Sequence, residues 1–83
     1  MEEIVLDKVH TYLFIQANRS RMQGELPSGE FFIDYRDLTK QVEIDEVTAR
    51  RMVKRIVEIG IVEDLSPNKN NLTHFKHKRL AYF

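Results

Sequence analysis

The sequence predicts an α+β domain of three helices, a short strand and a C-terminal β-hairpin. Three observations carry that expectation. Apolar residues recur at helical spacing in three separate stretches, and aspartates stand where the second and third would begin. A brief aromatic and β-branched run, Phe31-Phe32-Ile33, separates the first helical stretch from the second. Near the C-terminus, two extended runs flank a segment dense in turn formers. At 83 residues the chain is expected to form one domain, 1–83.

Residues 2–22 read as the first helix. Val5, Val9, Tyr12, Leu13 and Ala17 mark its inner stripe, and Gly24 supplies a stop. Glu2, Glu3 and Asp7 near its start and Arg19 and Arg21 near its end suit the helix dipole. Ile4, Leu6, Phe14 and Ile15 extend the apolar surface beyond that stripe. Residues 24–30 form a loop by their glycine and proline content, and 31–33 form the short strand. Asp34 then caps a short helix over 35–42, with Asp37 in its first turn and Leu38 and Val42 on its inner face.

Glu43-Ile44-Asp45 breaks that helix, and Asp45 caps the next, which runs over 46–59 and closes at Gly60. Ala49, Met52, Val53, Ile56 and Ile59 form its expected buried stripe. Thr48, Arg51, Lys54, Arg55 and Glu58 lie opposite. Residues 61–65 and 72–78 are the two strands of the hairpin, joined through 66–71.

Composition narrows the function classes. Hydrophobic residues make up 42% and charged residues 31%, the balance of a soluble globular chain rather than a disordered one. There is no cysteine, which removes disulfides and thiolate zinc sites and fits a cytoplasmic setting. Met-Glu-Glu at the start lacks the basic opening of a signal peptide, and no apolar run is long enough to span a bilayer. The net charge of zero hides a dipolar chain. Residues 1–46 carry ten acids and five bases, and residues 47–83 carry eight bases and three acids. The basic half can meet phosphate while the acidic half faces elsewhere.

His74 and His77 invite a metal reading. Three residues apart on a strand they point to opposite faces, and His10 is on a distant helix, so no metal site or cofactor is expected. No nucleophile–base set, phosphate loop or catalytic carboxylate pair stands out, so an enzyme is not expected.

The order of elements, with Leu38 and Val42 in the short helix, Ile44 in the turn and the run from Thr48 to Val62, resembles the winged-helix, or winged helix-turn-helix, family of DNA-binding domains. The resemblance covers about residues 31–78. Two positions depart from the pattern: Glu43 stands where the turn usually has glycine, and Thr39 where the bracing helix usually has a small residue.

The resemblance implies sequence-specific binding of double-stranded DNA by a small transcriptional regulator of repressor type. Helix 46–59 would lie in the major groove and the wing, 61–78, on the backbone. Carried over by position, the contacts would be Val47, Thr48, Arg50, Arg51, Lys54 and Arg55 on the helix, joined by Glu46 at its tip. Asn68, Lys69, Asn70 and Asn71 at the wing tip would follow, with Lys76, Lys78 and Arg79 adding electrostatic attraction. Arg50 or Arg51 would read bases, and Lys54 and Arg55 would hold phosphates. Two alternatives stand beside this reading: a winged-helix module of a plasmid or phage replication or partition protein, and a winged-helix protein-interaction domain. Surplus apolar surface on helix 1, and Leu80, Ala81, Tyr82 and Phe83, suggest a homodimer through either or both.

Overall fold

A computed structural model describes residues 2–66 and 72–78. The described chain forms α1 (Glu2–Gln23), β1 (Glu30–Phe32), α2 (Tyr35–Val42), α3 (Glu46–Ile59), β2 (Val62–Asp64) and β3 (His74–His77). It is a small α+β domain of three helices and a three-stranded antiparallel sheet in the order β1-β3-β2.

The helix ends follow from local chemistry. Asp34 accepts a hydrogen bond from the Arg36 amide at 2.9 Å, which satisfies one of the orphan donors at the start of α2. Asp45 does the same for α3, accepting from the Thr48 amide at 3.2 Å. Gly60 ends α3 at φ +94°, its N–H directed to the Ile56 and Val57 carbonyls. Between α2 and α3, Glu43 occupies the left-handed region at φ +61°, ψ +49°, and donates its N–H to the Thr39 carbonyl. The backbone makes the tight turn the sequence pattern calls for, although the residue there is not glycine.

The core lies between the helices and the inner face of the sheet. Val9, Tyr12, Leu13 and Ala17 of α1 meet Leu38 and Val42 of α2 and Ala49, Met52, Val53 and Ile56 of α3. Phe31, Phe75 and Val62 close it from the sheet, with the Phe31 and Phe75 rings 5.8 Å apart. Ile59 does not join this stripe: it is 58% exposed. It lies at the stripe's edge in the last turn of α3, just before the chain leaves the helix through Gly60.

The short strand has a partner that local pattern could not name. β1 pairs with β3, setting Phe31 opposite Phe75 and Phe32 opposite His74. β2 pairs on the other side, setting Glu63 opposite Lys76. The ladder extends past the strands through His77 N–H to Gly29 O at 2.7 Å and Leu65 N–H to His74 O at 2.8 Å. Ile33 lies one residue beyond β1 and is buried. A partly buried polar bond joins two helices: the Tyr12 hydroxyl donates to Asp37 Oδ2 at 2.6 Å, tying α1 to α2.

Candidate nucleic-acid interface

α3 buries one side and presents the other. At 3.6 residues per turn, the line farthest from the buried stripe runs through Val47, Arg51, Lys54 and Glu58. All four are exposed, and Val47 reaches 75%. Arg50 and Arg55 flank this line on opposite sides. Four cations thus share a helix with two anions, Glu46 and Glu58.

Neighbouring groups hold Arg50 and Thr48 in place. The Arg50 guanidinium lies 4.2 Å from the centre of the Tyr35 ring, and its Nε approaches Glu46 Oε2 at 3.3 Å. Stacking of this kind removes rotamer freedom before any ligand arrives. Thr48 is half-buried and its hydroxyl donates to Asp45 Oδ1 at 2.5 Å, so that group serves the cap. The Thr48 hydroxyl and amide, in that order, hold the Asp45 carboxyl below the usual carboxylate range.

The hairpin returns alongside α3. Ser66 and Leu72, the described ends of its connection, border a groove of about 510 Å³ together with Arg50, Lys54, Val57 and Glu58. Ser66 shapes this corner by accepting from the Thr73 and His74 amides at 3.1 Å each. The Tyr35 hydroxyl donates to Leu72 O at 2.7 Å, so the residue that carries Arg50 also pins the hairpin. Burial is the main cause that pushes the Tyr35 phenol up to about 12. Arg50 opposes that shift, and Asp64 and Glu46 add to it.

Of the remaining expected contacts, the two that are described, Lys76 and Lys78, stand apart from this line on α3. Asn68, Lys69 and Asn70 lie outside the described residues, as do Asn71, Arg79 and residues 80–83. Lys76 is half-buried on the outer face of the sheet, opposite Glu30 on one strand and Glu63 on the other. Lys78 is exposed, and its Nζ sits over Gly60 at the C-terminal end of α3, about 20 Å along the axis from Val47.

His74 and His77 do face opposite ways. His74 Nε2 lies 3.0 Å from Glu30 Oε1 and its ring stacks on Phe32 at 4.2 Å. His77 is buried under α1, against His10 at 5.8 Å and Phe14 at 5.5 Å. Sequence reasoning missed Tyr35, which positions Arg50. The available signal was an aromatic directly after the Asp34 cap, placed where α2 approaches α3. Among the described residues, no helix is long and apolar enough to cross a membrane. The chain matches no protein-family model, and neither a curated protein nor a solved structure matches it.

Proposed function

We propose that this is a winged helix-turn-helix domain that binds double-stranded DNA in a sequence-specific manner, as the reader module of a small, repressor-like transcription regulator. α3 enters the major groove, which is wide enough for one helix, and the hairpin lies on the sugar–phosphate backbone. One observation carries the reading. The outward side of α3, Val47, Arg51 and Lys54 flanked by Arg50 and Arg55, stands on a helix that α2 braces through a left-handed turn, with the hairpin's return beside it.

Roles follow from position. Arg51, on the outermost line, offers the two-pronged donor set that fits guanine. Val47 supplies an apolar contact for a thymine methyl. Lys54, a turn farther along, meets phosphate, which fixes register without reading sequence. Arg50, already seated on Tyr35, binds with less ordering cost.

Gel-shift titration against duplexes selected from a random pool tests this. Binding is expected to weaken steeply with salt. Arg51→Ala should relax preference at one base pair at a cost of about 1–3 kcal/mol, and Lys54→Ala should weaken all duplexes alike. If neither substitution alters binding, the assignment of α3 is wrong.

A further inference from the structure

We propose that Tyr35 is a positioning residue that ties the two DNA-contacting parts of the domain together, its ring setting the Arg50 guanidinium on α3 and its hydroxyl setting the return of the hairpin. The inference rests on the DNA-binding reading above and deepens it. Helix and wing are fixed by one side chain, but through separate atoms, so their contributions to binding can be taken apart at a single position.

The two contacts differ in kind. The Arg50 guanidinium lies over the ring at 4.2 Å from its centre, a contact that any six-membered aromatic ring can make. The hydroxyl donates to Leu72 O at 2.7 Å, which phenylalanine cannot do. Tyr35 is itself firmly placed. It is the first residue of α2, directly after the Asp34 cap, and it is buried. With the phenol pushed up to about 12, the hydroxyl keeps its proton at neutral pH and stays a donor.

Leu72 is a residue that needs holding. It stands at φ +48°, in the left-handed region that side chains other than glycine rarely adopt. Its side chain packs against the core while its carbonyl accepts from Tyr35. One residue on, Thr73 accepts from the Ile33 amide at 3.0 Å, and its own amide donates to Ser66 Oγ at 3.1 Å. Both described ends of the hairpin connection are thus fastened: Ser66 to the start of β3, and Leu72 to α2. Arg50, Ser66 and Leu72 border the same groove, so the Tyr35 hydroxyl sets the hairpin's return beside the cation that its ring seats.

Tyr35→Phe and Tyr35→Leu separate the two roles. In nitrogen-labelled protein without DNA, Tyr35→Phe is expected to shift the amides of Ser66, Leu72 and Thr73 and to leave the Arg50 Nε–H resonance in place, while Tyr35→Leu shifts both sets. On a duplex selected with the parent chain, Tyr35→Phe should bind on the order of fivefold more weakly, the scale of one hydrogen bond. The loss should be equal on single-base variants of that duplex, with a salt slope shallower by about one phosphate contact. Tyr35→Leu should lose on the order of a further fivefold, because Arg50 then has to be ordered on binding. Tyr35→Phe keeps the buried ring, so it carries the test even if Tyr35→Leu fails to fold. An Arg50 Nε–H shift as large in Tyr35→Phe as in Tyr35→Leu would overturn the separation of roles. Parent-like affinity and salt slope for Tyr35→Phe, on a duplex that the parent binds, would overturn the inference and leave the DNA-binding reading standing. Failure of the parent chain to bind any selected duplex would overturn both.

Discussion

α1 and α3 pack on the same core, yet they turn opposite chemistry outward. Both bury small and medium apolar side chains completely: Val9, Leu13 and Ala17 on one, Ala49, Met52, Val53 and Ile56 on the other. Away from the core, α3 shows arginine and lysine around Val47, with Ile59 exposed in its last turn, while α1 shows Ile4, Ile15 and Met22 among charged residues of both signs. Core burial therefore accounts for only half of each helix. The outward half is where the two differ: cations dominate it on α3, and exposed apolar side chains interrupt it on α1.

The contrast can be broken most severely through α2, which packs on both helices. Leu38 is fully buried, so Leu38→Ala should cost about 2–5 kcal/mol in urea unfolding and loosen both faces together. A change below about 1 kcal/mol would mean the site collapses and α2 is not the common brace.

Tyr12→Phe separates the two regions more selectively. It leaves the Asp37 carboxylate without its donor from α1, at an expected cost of about 1–2 kcal/mol, with duplex affinity unchanged. Loss of DNA affinity in proportion to stability would show that α1 and α3 are not separable in this way.

The α3 side has its own signature at high pH. The Tyr35 phenol is raised to about 12, mainly by burial, so the neutral form is the one the fold favours. Its contribution is present in full below about pH 10 and is lost as pH rises from 10 towards 12, where the unfolded chain ionises first. Tyr12, also raised by burial and by its bond to Asp37, acts in the same sense. Denaturation midpoints measured from pH 9 to 11 should fall less steeply for Tyr35→Phe than for the parent chain.

The smallest effect is a gain. Glu43→Gly removes a left-handed non-glycine residue from the α2–α3 turn and should stabilise by about 0.5–1 kcal/mol in thermal unfolding. A loss would mean the Glu43 side chain contributes more than its backbone conformation costs.

How much of this was legible in the sequence depended on distance along the chain. The bounds of α2 and α3, their Asp34 and Asp45 caps and the Gly60 stop were legible because capping acts within three or four residues. So were most of the buried residues of α1 and α3, through the 3.6 period, although Val5 is only partly buried and Ile59 is exposed. The period places Ile59 beside Met52 but cannot say which end of the stripe the fold leaves exposed. Contacts between distant residues were not legible. Nothing local sets β1 against β3, or Tyr12 against Asp37, or Glu30 against His74. In the candidate interface the cations were legible as a face, but the seating of Arg50 on Tyr35 and the placing of Lys78 behind Gly60 were not. Both depend on how α2 and the hairpin close around α3.

A titration of nitrogen-labelled protein with a selected duplex, followed by heteronuclear NMR at low salt, tests the contrast between the two helices in one experiment. Amide shifts are expected to concentrate at residues 46–55 and at the described ends of the hairpin connection, leaving the outer line of α1 unmoved. Shifts centred instead on Ile4, Ile15 and Met22, or none on α3, would contradict the account.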